Sequence, residues 1–331
     1  MPESFIPVFV FCLGAIVGSF LNVCIVRIPH GKSVAFPGSH CPKCQKPIAW
    51  YDNIPFFSFL FLGAKCRYCR EKISIRYFIV ELVMALGFWV FYLHFGMSIL
   101  LLPQLIFFSL LMVATFVDLE LRIIPDEISV GGIFAGLLLS AFLPPMHIDP
   151  SSGLNIGRGM MMIFLVILFV GFLFEFVFKK AKLEKEDVVF ICIVLSFVLV
   201  EFFINWILTT GKAPTLVIPY LQSLHVSLLG VLVGGGIIYS MGELGDILFR
   251  KESMGGGDIK LLAMIGAFLG WKLAVLTFFS APFLGSAIGI IEKIRTKDSA
   301  IAYGPFLAIA ALAALIWGPK IIQGILHSYG F

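Results

Sequence analysis

The sequence predicts an all-α polytopic membrane protein. Hydrophobic residues make up 60% of the 331 residues and charged residues only 13%, and the mean hydropathy is +1.02. A water-soluble domain of this length could not solvate so much apolar surface. The charged residues gather in a few polar stretches between long apolar runs. These observations indicate a chain that crosses a membrane many times and has lipid as its surroundings.

Ten apolar runs are candidates for membrane helices, because a helix needs about 20 apolar residues to cross a bilayer. The eighth run is too short for a full crossing, so the sequence predicts about eight to ten transmembrane helices. The runs cover residues 5–26, 78–96, 98–117, 126–143, 158–178, 188–208, 224–249, 258–270, 272–291 and 304–325.

The charge of the polar stretches predicts which side of the membrane they face. From Arg27 to Arg76 the sequence has nine Lys or Arg residues and two acids. Such an excess of positive charge is typical of the cytoplasmic side, so we expect a multi-pass protein of a bacterial cytoplasmic (inner) membrane. The net charge of +4 reports this topology and gives no reason to expect a nucleic-acid partner.

Four cysteines lie in the long polar stretch as two CxxC pairs, Cys41/Cys44 and Cys66/Cys69. Two such pairs can form zinc knuckles that close on one tetrahedral thiolate site. Two disulfides or four free thiols are the alternatives, and the reducing cytosol disfavours disulfides. His40 directly precedes the first pair and is a further candidate ligand. The stretch therefore predicts a small cytoplasmic zinc-binding loop domain.

Asp118 ends the apolar run from Ile99 to Val117, on the predicted cytoplasmic face. A carboxylate close to hydrocarbon is costly and usually functional, although a solvated interfacial acid is the structural alternative. Asp126 follows Pro125 and fits the first turn of a helix, where an acid faces the positive end of the helix dipole. We interpret Asp126 as a helix-capping residue and Asp118 as a candidate functional acid.

Asp258 follows three glycines, Gly255 to Gly257, and opens an apolar run. Glycines allow close approach of the backbone to a substrate, and Asp is also a favoured N-cap residue. Together with Asp118, Asp258 supplies the two carboxylates that an aspartic peptidase needs. Two neighbouring acids share one proton, so one can act as general base for water and the other as general acid. The sequence places them at a common membrane depth, and their pairing is an inference.

The chain resembles the prepilin peptidase family, whose members process type IV prepilins and type II secretion pseudopilins. The resemblance covers nearly the whole chain and follows the order of the family's motifs. These are GSFLNV at 18–23, CPKC at 41–44, WYDNIP at 50–55, CRYC at 66–69, IRY at 75–77 with Glu81, Asp118 with IPD at 124–126, MGGGDIK at 254–260 and YGPF at 303–306.

The resemblance implies a bifunctional enzyme. Asp118 and Asp258 match the catalytic pair of a GxGD-type intramembrane aspartic peptidase, which removes the leader of a prepilin or pseudopilin at the cytoplasmic face. The family then methylates the new amino terminus with S-adenosylmethionine, and its cysteine loop is associated with methylation. The residues that bind this methyl donor are not identified by the sequence. Pilus or secretion assembly machinery is the further partner that the family implies.

Three domains follow from this resemblance. Residues 1–26 form the first transmembrane helix, residues 27–77 form the zinc-binding loop domain linked to N-methylation, and residues 78–331 form the transmembrane aspartic peptidase domain. The segment 159–208 is expected to be an inserted helical hairpin at the periphery, in which Glu201 finds a partner or an interface.

A second function remains open from the residues alone. A zinc-bearing membrane scaffold of a pilus or secretion machine, without catalysis, would need the four cysteines and leave Asp118 and Asp258 idle. Glu81 has two interpretations as well. It lies four residues into its helix, where it could form a salt bridge with Arg76 or take part in methylation.

Overall fold

The computed structural model describes residues 5–147, 185–211, 214–249, 255–296 and 302–328. Regular structure in these ranges is helical, apart from two isolated β-bridges in the cysteine loop. The chain divides into two compact units, Met1–Ile128 and Ser129–Phe331. The expected all-α architecture is confirmed for the described residues.

The first unit contains three long helices and the cysteine loop. The loop separates the first two of these helices and carries a short helix, α2, and a 3-10 turn, Trp50–Asn53. A further helix begins at the end of the unit, and its first turn contains Asp126. The helices are α1 Phe5–Arg27, α2 Phe57–Phe61, α3 Ile75–Phe95, α4 Leu101–Leu121 and α5 Asp126–Phe142.

Helices α1 and α3 pack backbone to backbone because α1 presents glycines to α3. A Cβ atom at Gly14 would lie 2.6 Å from the carbonyl oxygen of Met84, and one at Gly18 would lie 2.8 Å from the Cα atom of Glu81. Small residues allow membrane helices to approach closely in this way. The contact holds the two ends of the cysteine loop together.

The described residues of the second unit form five further helices. They are α6 Lys185–Thr210, α7 Ile218–Phe249, α8 Gly256–Leu269, α9 Trp271–Thr296 and α10 Gly304–Ser328. A turn at Gly270 separates α8 from α9, and Gly270 ends α8 with φ 77°. A positive φ of this kind favours glycine.

Helices α7 and α8 form the tightest contact of the second unit. A Cβ atom at Gly230 would overlap the carbonyl group of Gly266, and a Cβ atom at Gly266 would overlap that of Gly230. The Ser227 hydroxyl donates a hydrogen bond of 2.7 Å to the carbonyl oxygen of Ala267 in the same contact. This packing fixes α8, the helix that carries Asp258 in its first turn.

Five helical segments of the described part are long and apolar enough to cross a membrane: Phe5–His30, Ile75–Phe95, Leu101–Leu121, Ile218–Asp246 and Gly304–Ile325. Each coincides with one of the predicted spans. The run 158–178 lies outside the described residues, as does the first half of the predicted insertion 159–208. A multi-pass membrane protein is therefore supported, and the total of about eight to ten spans stays a prediction.

Candidate functional site

The two CxxC segments fold into equivalent turns. The N–H of Gln45 donates to the carbonyl oxygen of Cys41 at 2.9 Å, and the N–H of Arg70 donates to that of Cys66 at 3.1 Å. Both Gln45 and Arg70 have positive φ, 58° and 57°. A β-bridge closes each turn at its base, His40 with Pro47 and Lys65 with Lys72.

The two turns bring the four sulfur atoms together. The Sγ atoms of Cys41, Cys44, Cys66 and Cys69 all lie within 4.8 Å of one another. Four sulfurs at Zn–S distances of about 2.3 Å around one tetrahedral zinc would be about 3.8 Å apart. The Sγ atoms of Cys41 and Cys69 are 3.7 Å apart, so the cluster fits this ion. His40 is not in the cluster, and its Nδ1 atom lies 2.9 Å from the carbonyl oxygen of Gly38.

Electrostatic contacts support the cluster. Lys43 of the first turn forms a salt bridge with Glu71 of the second. The backbone N–H groups of Cys69 and Tyr68 lower the pKa of the Cys66 thiol to about 6, whereas burial and the neighbouring thiols raise the pKa of Cys69 to about 11. The Cys66 thiol is therefore mostly thiolate at neutral pH, which is the form that binds zinc.

A cavity of about 420 Å³ lies between the cysteine loop and helices α1 and α3. Asn22 of α1 and Glu81 of α3 line this cavity, and both side chains are buried. The N–H of Phe56 in the loop donates to Oε2 of Glu81 at 3.0 Å. The salt bridge with Arg76, one of the two interpretations of Glu81, is not formed, because Arg76 pairs with Glu120 instead. A cavity of this size suits a small ligand.

Asp118 lies in the last turn of α4 and is only 6% exposed. Arg122 ends this helix in a left-handed conformation, and its N–H donates to the carbonyl oxygen of Asp118 at 2.9 Å. The sequence placed Asp118 at the end of the apolar run, and the structure places it inside the final helical turn. Asp126 lies in the first turn of α5, as expected for a residue that stabilises a helix start.

Asp258 lies in the first turn of α8, and its N–H donates to the carbonyl oxygen of Gly255 at 3.1 Å. Tyr303 lies directly before α10. Its hydroxyl is buried and has no hydrogen-bond partner in the described part of the chain. Burial of the phenol, with a smaller contribution from the charge of Asp258, raises the pKa of Tyr303 to about 12. Tyr303 is therefore electrostatically coupled to a predicted catalytic acid.

The structure brings together the four predicted zinc ligands. Asp118 belongs to the first unit and Asp258 to the second, and their pairing stays a prediction. In the second unit, Nδ1 of His225 lies 2.8 Å from Oε1 of Glu201, and both side chains are fully buried. Glu201 thus has the partner expected of it.

Two features of the site were missed by sequence reasoning. The contact of Glu81 with Phe56 depends on a loop conformation that no motif specifies. The electrostatic coupling of Tyr303 to Asp258 joins two motifs that lie 45 residues apart in the sequence. The sequence signal that could have pointed to this coupling was the occurrence of both motifs in the family pattern.

Comparisons with known proteins match both halves of the chain. Residues 12–95 match the Bacterial Peptidase A24 N-terminal domain, and residues 187–290 match the Type IV leader peptidase family. The first range contains the cysteine loop and the second contains Asp258. Asp118 lies between the two ranges.

Relatives match over nearly the whole chain. A prepilin leader peptidase/N-methyltransferase of Myxococcus xanthus is 32% identical over 324 residues, which is 94% of this chain and 90% of the relative. A protein of the same name from Pseudomonas aeruginosa is 27% identical, over 98% of this chain and 95% of the relative. A type 4 prepilin-like proteins leader peptide-processing enzyme of Escherichia coli is 27% identical over 93% of each chain. No solved structure shows a significant match.

Proposed function

Because the chain belongs to the family of prepilin leader peptidases/N-methyltransferases, we propose that it cleaves the leader of a type IV prepilin or type II secretion pseudopilin and then methylates the new amino terminus. The observation that carries this proposal is the match to the Myxococcus xanthus relative, which covers more than nine-tenths of this chain at 32% identity. The alignment covers 94% of this chain, so its range extends over the cysteine loop, Asp118 and Asp258.

Asp118 and Asp258 carry out the cleavage in this proposal. One carboxylate takes a proton from water, which attacks the scissile carbonyl carbon, and the other protonates the leaving amine. Each acid lies in a terminal helical turn, which suits chemistry at the membrane surface. The three glycines before Asp258 leave room for an extended substrate segment beside it.

The four cysteines bind zinc in a structural site. Four thiolates complete the tetrahedral coordination, so the ion keeps no open position for a substrate. Its role is to hold the two CxxC turns together and thereby to shape the cavity beneath them. Residues 27–77 form the loop domain linked to methylation.

S-adenosylmethionine supplies the methyl group as a sulfonium methyl when it is bound. The cavity beneath the loop suits a small polar ligand. Its wall contains a buried hydrogen-bond acceptor, Oδ1 of Asn22, which has no partner among the described residues. Asn22 and the loop residues around the cavity would contact the donor or the acceptor amine. The cavity lies on the same unit as the zinc ligands, which supports the link between the loop and methylation.

The active site faces the cytoplasm of a bacterial inner membrane in this proposal. The positive charge of the cysteine loop supports that orientation. Pilus or secretion assembly machinery would then receive the processed subunit.

The test uses the full-length protein in detergent with a purified candidate prepilin and S-adenosylmethionine. Mass spectrometry of the product is expected to show loss of the leader and a gain of one methyl group at the new amino terminus. An intact leader, with the same protein folded and zinc-loaded, would favour the scaffold function instead.

A further inference from the structure

Glu81 is a buried acid that the peptidase reaction does not use. It lies in the second turn of α3, is 8% exposed and lines the cavity beneath the cysteine loop. Its Oε2 atom accepts the hydrogen bond from the N–H of Phe56, and the hydroxyl of Ser19 on α1 also faces it. Buried carboxylates are rare unless they are paired or functional.

The loop is strained at the residue that contacts Glu81. Phe56 has φ 62° and ψ −55°, an unfavourable conformation for any residue with a side chain. Its ring packs between those of Phe11 and Phe78, with centroid distances of 6.0 and 5.8 Å. The packed ring and the hydrogen bond together hold this conformation, which keeps the carboxylate of Glu81 in one position.

Glu81 differs from the other two acids that line the cavity. Asp52 accepts two hydrogen bonds from Arg67, at 2.5 and 2.6 Å, and Glu71 pairs with Lys43. Glu81 has no basic partner within the described ranges. The basic residues that also line the cavity, Arg27, Lys46, Arg67 and Lys72, form no salt bridge with Glu81, so its carboxylate remains available to a cation that enters.

Asn22 of α1 provides a second acceptor in the lining of the cavity. The amide of Asn22 faces the carbonyl oxygens of Gly18 and Tyr77, at 3.3 and 3.1 Å. Carbonyl oxygens only accept hydrogen bonds, so the amide nitrogen must face them, and Oδ1 points away. This Oδ1 atom is buried and has no partner among the described residues.

The two acceptors belong to one site. Tyr77 and Glu81 are four residues apart on α3 and therefore share one helix face, which is the face that Asn22 contacts. An amide oxygen and a carboxylate can both accept hydrogen bonds from an ammonium group, which has several donors and no acceptor. The amino terminus of a cleaved pilin is such a group.

We propose that Glu81, with Asn22 beside it, binds the new α-ammonium group of the processed pilin and takes its proton before methyl transfer. This inference rests on the proposed function and assigns the acceptor half of the methylation site. The ammonium nitrogen loses one proton to the Glu81 carboxylate and regains its lone pair. That lone pair forms the N–C bond while the S–C bond of the sulfonium breaks, and its electrons stay on sulfur as a thioether. The proton on Glu81 then leaves to water.

The first test is a binding measurement without the methyl donor. A synthetic peptide with the mature pilin sequence and a free amino terminus is compared with its N-acetylated form at neutral pH. Wild-type protein is expected to prefer the free amine about tenfold or more, because acetylation removes the charge. Glu81→Gln is expected to lose this preference, since the amide can still accept from Phe56 but carries no charge. The matched control is Glu120→Gln, which removes an acid on α4 and should keep the preference.

The second test is methylation of the same peptide across pH. Glu81→Gln should methylate at least about a hundredfold more slowly than wild type near pH 7. Its rate should recover above about pH 8, where a peptide amine loses its proton without help. A simple structural defect would not be corrected by raising the pH.

The outcomes separate this inference from the proposed function. Leader cleavage and zinc content are measured in the same preparations, and Glu81→Gln should retain both. A wild-type protein that cleaves no leader and methylates no amine overturns the proposed function. A wild-type protein that methylates, beside a Glu81→Gln variant with unchanged amine preference and rate, overturns the role of Glu81. Loss of cleavage and zinc in Glu81→Gln, repeated in Glu81→Asp, would also overturn it by showing a structural role.

Discussion

The Sγ atoms of Cys41 and Cys69 lie 3.7 Å apart, although 28 positions separate the two residues in the sequence. Each belongs to a different CxxC turn. The structure thus brings the outer members of the two pairs to the spacing of ligands on one tetrahedral ion.

Protein purified without chelator should contain about one zinc per chain. Replacing Cys69 by Ser removes one thiolate and should lower the zinc content and the thermal stability of the loop. Metal analysis by mass spectrometry measures the first effect. Cys12→Ser is the matched control, because Cys12 is exposed on α1 outside the cluster. A wild-type protein without zinc would contradict the assignment.

Asp118→Asn and Asp258→Asn should each reduce leader cleavage by at least about a hundredfold, because an amide cannot exchange a proton with water and the scissile bond. Asp126→Asn should have a milder effect, since Asp126 stabilises a helix start. Cleavage rates of full-length prepilin in detergent measure these effects. The pair needs one shared proton, so wild-type activity should fall at both low and high pH. A wild-type rate in either single variant would remove that residue from the catalytic pair.

Tyr303 should ionise with a pKa of about 12, because its phenol is buried and lies in the field of Asp258. Removing the negative charge in Asp258→Asn should lower that pKa, since the phenolate is then less strongly repelled. The difference in ultraviolet absorbance between each protein and its Tyr303→Phe version isolates this one tyrosine out of 8. An unchanged titration in Asp258→Asn would show that the two groups are not coupled.

Gly266→Ala should destabilise the protein by about 1–3 kcal/mol or more, because the added methyl group would overlap the carbonyl group of Gly230. Gly131→Ala in α5 is the control, since a Cβ atom there meets no atom within 4 Å. The control should be neutral or stabilising by up to about 1 kcal/mol through its better helix propensity. Thermal unfolding in detergent compares the two. Equal stability of both variants would contradict the close helix contact.

Glu201→Gln should spare leader cleavage if the segment 159–208 is an insertion outside the active site. Glu201→Leu should unfold at a lower temperature, because the buried ring of His225 then loses its partner at 2.8 Å. Leaving a buried polar group without its partner costs about 1–3 kcal/mol. Cleavage assays and thermal unfolding on the same samples distinguish the two effects. Loss of cleavage in a stable Glu201→Gln protein would place this segment in the active site.

Local patterns predicted the features that local sequence determines. The apolar runs predicted the helices, and the CxxC spacing predicted the sulfur cluster, because both depend on residues close together in the chain. The sequence could not identify the partner of Arg76, for the opposite reason. Glu120 is 44 residues away, and only the packing of α3 against α4 brings it within reach.

The cavity wall could not be predicted for a similar reason. The contact between Phe56 and Glu81 needs a positive φ at an aromatic residue, which no sequence preference indicates. The buried contact of Glu201 with His225 likewise depends on how each of two packed helices is rotated about its own axis. A sequence can predict that a buried acid needs a partner, but it does not identify which distant residue supplies one.

The contact between Gly230 and Gly266 sets the tilt of α8, and a change in this tilt moves the other end of the helix, where Asp258 lies. Gly266 lies eight residues from Asp258, a distance of about 12 Å along the helix axis. A tilt of about 20° at the glycine would therefore move Asp258 by about 4 Å, whereas a misplacement of about 1 Å can already cost a hundredfold in rate. We therefore expect peptidase activity to depend on the size of the side chain at Gly266 as strongly as it depends on the acid at Asp258.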